Sequence, residues 1–399
     1  MIEEAEVARL MRAEVDSAEG PSTRLDIDRA MRGGRRQRRY RQGAGVALAV
    51  VALVVGVATV PGLVKGGPTT ATGQGLLAPG DQPLAPFTGE VPPADPSRIP
   101  AALETVDPSI LYARFGWLPS GLGSVSYHAG LLQHGSGVLL GAQLPGPTPD
   151  HWQGVSLRLY PKGVAPAAPQ RDSGEPVTLT ESVPAPPVRG GTASFVRYPG
   201  APTDEVFLRW EYAPTGWAEI RVSSWSSGLD VQDVALRVAQ ALKLSVTESV
   251  PLPIPVQPAV PKELRPVRIT LTEPLVDSEG WFAGIDYADP ATTEDAVRRG
   301  EALRIELLPY RVIRDEERAD PTAKLPPAPN TTIDGHSAYF VPNAGAPGSE
   351  LLTVYDAMGL TIGIDAHHGV LDKQGTKGVF EKLRLAGEKA EWQPGLTTG

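Results

Sequence analysis

The sequence predicts an α+β protein in which a single transmembrane helix is followed by two tandem exterior units, each a mainly antiparallel sheet with a C-terminal helix. Three observations lead to this fold class. An arginine-rich block runs directly into a long uncharged segment, a linker rich in proline and glycine follows, and the rest of the chain carries two similar stretches. Together they divide the 399 residues into a tail, a span, a linker and a duplicated body.

The uncharged segment covers residues 44–64, with eight valines and three leucines among its 21 residues. As a helix rising about 1.5 Å per residue, it reaches about 31 Å, close to the thickness of the hydrocarbon core of a bilayer. A cleaved signal peptide is the competing interpretation, but such peptides have short basic starts and apolar cores of about 7 to 15 residues. We therefore expect a retained transmembrane helix over residues 43–64.

The arginine block precedes this span and consists of Arg32, Arg35, Arg36, Arg38, Arg39 and Arg41. Cationic side chains stay on the cytoplasmic face during membrane insertion, so the block is predicted to be the topology signal. Residues 1–42 then form a cytoplasmic amphipathic basic tail. The predicted localisation is the cell membrane, single-pass, with the C-terminal body outside.

The charge is distributed unevenly between these parts. The chain has a formal net charge of −9, but residues 1–42 carry ten arginines and eight acidic residues, which leaves −11 on the remainder. An acidic body excludes nucleic acid as its partner, since that ligand requires a cationic face. The absence of cysteine from the sequence excludes disulfides, thiolate metal sites and cysteine nucleophiles.

The body contains an internal repeat. The stretch G-G-T-A-S-F-V recurs 145 residues later as G-H-S-A-Y-F-V, and each copy is followed by G-A-P. This alignment places Phe195 on Phe340 and Trp210 on Tyr355. Ordered agreement of this kind predicts two copies of one unit.

Each copy is predicted to be a set of period-2 strands closed by a helix. Asp230 is placed to cap the first closing helix. The apolar residues of that helix recur at helical spacing, namely Val231, Val234, Ala235, Val238, Ala239 and Leu242. The predicted domain limits are a Pro/Gly-rich linker at 65–104, repeat 1 at 105–248, a Pro-rich connector at 249–261, repeat 2 at 262–388 and a tail at 389–399.

A strand opening with Gly and an aromatic residue, a Trp or Tyr strand, a hairpin and a closing V-A-x-x-L helix resemble the exterior domains of some bacterial single-pass regulators, including anti-sigma-factor-type membrane proteins. The tail sequence L-D-I-D-R-A-M-R-x-G-R-R-x-R-R, at 25–39, resembles the juxtamembrane leader of uncharacterised actinobacterial membrane proteins. This resemblance implies a regulatory protein. The tail departs from the zinc-binding anti-sigma signature, because it contains neither His nor Cys.

The sequence carries no recognised catalytic motif, so we predict that the protein is not an enzyme and needs no cofactor or metal. The acidic run at 315–317 is typical of a solvated surface. His367 and His368 lie near Asp365, but sequential residues of a strand point to opposite faces, which disfavours a shared metal ion.

Trp225 and His367 are the candidate ligand-binding residues, because they fall at similar positions just before the closing helices while neighbouring matches stay apolar. The alternative, that Trp225 only packs at the edge of the sheet and His367 is merely exposed, stays open.

The predicted function is a membrane-anchored exterior binding or sensing protein that regulates a cytoplasmic partner such as a sigma factor. The alternative is a non-signalling cell-envelope binding or scaffold protein, and a tethered hydrolase lacks a motif. The predicted partners are the lipid bilayer for the spanning helix, a cytoplasmic protein for residues 1–42, and a cell-wall or peptide ligand for the body.

Overall fold

The computed structural model describes a set of ranges that together cover most of the chain after residue 100. These ranges are 87–93, 101–132, 135–144, 153–166, 181–197, 205–226, 228–246, 250–252, 254, 256–258, 260–274, 281–309, 327–344, 347–367, 370–371, 375–385 and 395–397. Antiparallel strands dominate these residues.

The first half of the body begins with a two-residue strand, runs through seven longer strands, and ends with a helix and a second two-residue strand. The bounds are β1 (Ala113–Arg114), β2 (Ser124–Leu132), β3 (Gly135–Gln143), β4 (Gly154–Leu159), β5 (Glu181–Val188), β6 (Gly191–Arg197), β7 (Glu205–Ala213), β8 (Gly216–Ser223), α1 (Val231–Ala241) and β9 (Lys243–Leu244). The short strands β1 and β9 pair antiparallel.

The second half repeats this succession with one added helix. Its elements are β10 (Val256–Gln257), β11 (Arg265–Pro274), β12 (Phe282–Ala288), α2 (Glu294–Arg298), β13 (Leu303–Pro309), β14 (Thr331–Ile333), β15 (His336–Pro342), β16 (Glu350–Ala357), β17 (Leu360–Ala366), α3 (Gly375–Glu381) and β18 (Arg384–Leu385). The short strands β10 and β18 pair antiparallel, as β1 and β9 do.

The longer strands of both halves join in one 14-stranded sheet with the order β14-β15-β16-β17-β13-β12-β11-β2-β3-β4-β8-β7-β6-β5. Counted outward from the middle, each half has its strands in the order first, second, third, seventh, sixth, fifth and fourth. The first strands of the two halves, β2 and β11, pair antiparallel at the centre, where His128 lies opposite Thr270. The same topology on both sides of this pair corresponds to a local two-fold relation within the sheet.

The predicted fold class is wrong. The described residues are mainly antiparallel sheet, and the three helices among them have only 11, 5 and 7 residues. The sheets expected in two separate units are one sheet, because β2 and β11 hydrogen-bond to each other. Each half would otherwise present a long strand with unpaired backbone groups at its edge. Pairing over such a sequence distance leaves no local pattern in the chain.

The predicted single-pass membrane localisation is also contradicted. Within the described ranges, no helix is long and apolar enough to cross a bilayer. The longest of these helices, α1, has 11 residues and reaches about 17 Å, roughly half the thickness of the hydrocarbon core. The predicted span at 43–64, the tail at 1–42 and its six arginines lie outside the described residues.

One face of the sheet forms the hydrophobic core, as the period-2 pattern of its strands requires. In β7, Leu208 and Trp210 are 0 % and 1 % exposed, and helix α1 packs on this face with Leu236 and Val238. The core continues across the centre through Ala129 and the corresponding residues of β11, β12 and β13, which include Ile269, Ile285 and Ile305.

The strand pairing corrects the sequence alignment of the two halves by one residue in β7 and β16. The pairs that show this shift are Phe195 with Leu208 and Phe340 with Leu352. Trp210 therefore corresponds to Val354 and not to Tyr355. A shift of one residue turns every side chain of a strand to the opposite face, so the burial of Val354 in the core accounts for this register.

Helix α1 begins at a capping aspartate. The Asp230 carboxylate accepts hydrogen bonds from the backbone N–H groups of Gln232, at 3.0 Å, and Asp233, at 3.1 Å. These N–H groups belong to the first helical turn and lack partners within the helix. The cap therefore satisfies backbone groups that α1 leaves open.

Replacing Asp230 with alanine is expected to lower the free energy of unfolding by about 1 kcal/mol, because both N–H groups lose their acceptor. Urea denaturation followed by circular dichroism measures the change. Asp230→Asn keeps an oxygen at the same place and serves as the control. An equal loss of stability in both variants would contradict the capping role.

Candidate functional site

Polar and charged side chains occupy the centre of the sheet on the face opposite the core. We term them the central polar cluster, which comprises His128, Arg268, Thr270, Asp286, Arg304 and Glu306. The members lie on the adjacent strands β2, β11, β12 and β13. Cross-strand register brings them together, because Thr270 lies opposite His128, and Asp286 lies opposite both Arg268 and Arg304.

Two arginines and two carboxylates hold this cluster together. Arg268 donates from Nε to Oδ2 of Asp286 at 2.6 Å, and the two side chains are 5 % and 7 % exposed. Nη1 of Arg304 lies 3.9 Å from the other oxygen of Asp286. Arg304 also donates from Nε to Glu306 at 2.6 Å. The alternation of opposite charges compensates for the burial of Asp286.

His128 is the most buried polar member, with 1 % exposure. Its Nδ1 lies 3.1 Å from Oγ1 of Thr270, whereas its Nε2 is buried without a hydrogen-bond partner among the described residues. Burial, and then the positive charges of Arg268 and Arg304, lower the pKa of His128 from 6.5 to about 3. The imidazole is therefore neutral at physiological pH.

His128 is poorly suited to act as a general base for the hydroxyl of Thr270. A general base works best when its pKa lies near the operating pH, and the pKa of His128 is far below that range. The Thr270 hydroxyl therefore has no effective base in His128. The geometry favours a structural role for the cluster, as a polar seam where the two halves of the sheet meet.

The first half carries its own ion pairs on the same face of the sheet. Nε of Arg209 lies 2.5 Å from Oε2 of Glu219. Arg221 donates from Nε and Nη2 to one oxygen of Glu205, at 3.0 Å and 2.6 Å, and stands over the ring of Phe207. These pairs are 13 % exposed or less, so they resemble the pair of Arg268 and Asp286 in burial.

The structure places Trp225 in the bend after β8, where it is half-buried and packs against the core. A Cβ at Gly121, whose φ is 94°, would lie 3.6 Å from the indole Nε1. Gly121 belongs to the same loop as Trp117, which is 37 % exposed. This loop lies close to the end of α1, since a Cβ at Gly116 would collide with the carbonyl oxygen of Ala241. We term Trp117, Gly121 and Trp225 the aromatic corner.

His367 follows β17 in the other half and is half-buried. Its carbonyl oxygen accepts a hydrogen bond from the N–H of Val370 at 3.2 Å. Six strands of the sheet lie between β17 and β8. The strands that precede His367 and Trp225 are therefore not neighbours, and the sheet does not bring these two residues into one site. When β17 is aligned with β8 by their pairing to β16 and β7, His367 corresponds to Ser223. Trp225 lies two residues after Ser223, so it is not the equivalent of His367.

The other histidines and acids considered from the sequence lie partly outside the described residues. His134, His151, His368 and the acidic run at 315–317 lie outside the described residues. Among the described residues, no group of three or more His, Asp or Glu side chains is arranged to hold a metal ion. His336 is on β15, where its ring meets that of Phe380 edge-to-face.

Sequence reasoning missed the central polar cluster. The signal was present in β11, where Arg268 and Thr270 alternate with apolar residues on a strand that reads as buried on both sides. What the sequence did not show is that β11 pairs with β2. That pairing alone brings His128 to Thr270 across 142 residues of chain.

Comparison with protein-family models gives no match, and no curated protein matches the sequence. The residues themselves are therefore the basis for a functional proposal.

Proposed function

We propose that the protein is a non-catalytic binding protein that holds a cell-wall polymer at the aromatic corner. The supporting observation is the partial exposure of two indole rings, Trp117 and Trp225, where one loop contacts both the end of α1 and the end of β8. An indole combines a large apolar surface with a polar N–H group, which suits it to an interface.

The charged clusters are less suited to ligand recognition than the aromatic corner. The side chains of Asp286 and Glu205 are 7 % and 2 % exposed, and both form ion pairs with arginines of neighbouring strands. Their charges are used within the sheet. Trp117, by contrast, is among the few large hydrophobic side chains of the described residues that are well exposed, together with Val91 and Val164.

The regulatory role implied by the resemblance to anti-sigma-factor-type proteins stays a prediction. The proposed partner segment, residues 1–42, lies outside the described residues. The alternative of a scaffold that binds without signalling uses the same aromatic corner, so the binding step is common to both.

The test is co-sedimentation of the purified full chain with insoluble peptidoglycan. Trp225→Ala is expected to weaken binding about tenfold or more, equal to about 1.4 kcal/mol, because the indole surface is lost. Thermal unfolding shows whether the variant stays folded. Val164→Ala, which truncates another exposed hydrophobic residue, is the control and should bind as the wild type does.

Two results would contradict this proposal. Unchanged sedimentation of Trp225→Ala excludes the indole from binding. Loss of folding assigns Trp225 to the core, and Trp117→Ala, at the more exposed ring of the corner, then decides whether the corner binds the polymer.

A further inference from the structure

The two halves of the body differ in how they cover one aromatic residue of their equivalent strands. In the first half, Phe195 on β6 is completely buried. Its ring packs against Phe87, with ring centroids 6.1 Å apart and planes tilted by 37°. Phe87 belongs to the extended segment 87–93, which precedes the sheet in the chain. A short peptide segment of this protein therefore already occupies the surface beside Phe195.

The second half presents the corresponding ring without such a segment among the described residues. Phe340 on β15 is only partly buried. The ammonium group of Lys377 on α3 lies 4.3 Å from its ring centroid. On the same face of β15, His336 meets Phe380 edge-to-face, with ring centroids 6.4 Å apart. The contacts described on this face of β15 are thus with a cation and an aromatic ring, whereas Phe195 contacts the ring of Phe87.

The framework around Lys377 is fixed in place. Oε2 of Glu350 accepts hydrogen bonds from the N–H and the hydroxyl of Thr376, at 2.8 Å and 3.0 Å. A side chain at Gly375 would collide with the same carboxylate, so α3 begins in close contact with β16. Lys377 is therefore presented over Phe340 by a helix that is anchored at its first turn.

The edge of the sheet at this point is closed to an added strand. The Asn330 side chain donates to the carbonyl oxygen of Phe340 and accepts from its N–H, both at 2.8 Å. The amide group thus uses the two backbone groups that a further β-strand would need. A ligand at Phe340 has to approach over the side chains and not along the strand edge.

We propose that Phe340, His336 and Lys377 form a docking site for a peptide segment of a partner protein that carries an aromatic residue and a carboxylate a few residues apart. The aromatic residue packs on Phe340 as Phe87 packs on Phe195, and the carboxylate pairs with Lys377. Residues 87–90 show this chemistry in the chain itself, because Phe87 is followed by Thr, Gly and Glu90. The site is separate from the aromatic corner, which lies in the other half.

The probe is a fluorescently labelled peptide with the sequence A-P-F-T-G-E-V-P-P, that of residues 85–93, titrated with the full chain and followed by fluorescence anisotropy. We expect saturable binding with a Kd below about 1 mM. Lys377→Glu and Phe340→Ala should each weaken it about tenfold or more, because they remove the cation and the ring. A peptide with Gln in place of Glu should lose affinity for the wild type only, and not for Lys377→Glu.

Lys262→Glu is the matched control, since it makes the same charge change at an exposed lysine elsewhere in the second half. Wild-type affinity is expected for this variant. Circular dichroism establishes folding, and Lys377→Glu carries the test if Phe340→Ala does not fold. Absence of binding near about 1 mM overturns the proposal, as does equal weakening by Lys262→Glu and Lys377→Glu. Binding that persists in Phe340→Ala and Lys377→Glu assigns the peptide to the Phe195 surface and overturns it as well.

Discussion

Replacement of Asp286 with asparagine is expected to lower the free energy of unfolding by about 3–5 kcal/mol. The Asp286 carboxylate accepts a hydrogen bond from Nε of Arg268 at 2.6 Å, and its other oxygen lies 3.9 Å from Nη1 of Arg304. An asparagine has nearly the same shape but no charge, so the guanidinium of Arg268, whose side chain is 5 % exposed, stays buried without its counterion. Urea denaturation at neutral pH measures the change.

A double variant separates the loss of the ion pair from the cost of an isolated charge. Arg268→Met with Asp286→Leu removes both charges, and replacement of a buried pair by apolar residues is often close to neutral. We therefore expect the double variant to be more stable than Asp286→Asn alone, which makes the two changes strongly non-additive.

The pair of Lys162 and Glu104 provides a control at the surface. Its side chains are 49 % and 72 % exposed, and exposed ion pairs contribute about 1 kcal/mol or less. Glu104→Gln should change stability within that limit. A similarly small effect of Asp286→Asn would contradict the prediction, because it would show that water screens the charges of the central polar cluster.

The features of this fold that the sequence predicts are the local ones. Alternating apolar residues predict the strands, and Asp230 predicts the start of α1, because both patterns are local. The cap is found as predicted, since the N–H groups of Gln232 and Asp233 bond to its carboxylate. Such features depend on neighbours within a few residues.

The central cluster depends on distant neighbours. Arg268 and Asp286 are 18 residues apart, and His128 is 142 residues from Thr270. Nothing in the period-2 pattern of β2 distinguishes a strand that pairs with the other half from one at the edge of a separate sheet. The predicted two-sheet body failed at this point. The sequence alignment also placed Trp210 on Tyr355 instead of Val354, because this one-residue shift is defined by strand pairing and burial.

Acidification is expected to destabilise the folded protein through His128 between pH 6.5 and about 3. Burial and two nearby arginines lower the pKa of His128 in the folded state from 6.5 to about 3. In this window the unfolded chain binds a proton that the folded protein does not. The free energy of unfolding therefore falls by about 1.4 kcal/mol for each pH unit below 6.5, and this group contributes no pH dependence above it.

The interval from pH 6.5 to 5 isolates this effect best, because carboxylic acids in general titrate below it. The expected loss over this interval is about 2 kcal/mol. His128→Gln keeps a polar side chain without an ionisable group, so its stability should fall less steeply by about that amount. All other residues are the same in the wild type and the variant, so the difference between the two profiles reports His128 alone. Parallel pH profiles for the wild type and His128→Gln would show that the imidazole is free to take up a proton in the folded state, against the burial from which the prediction follows.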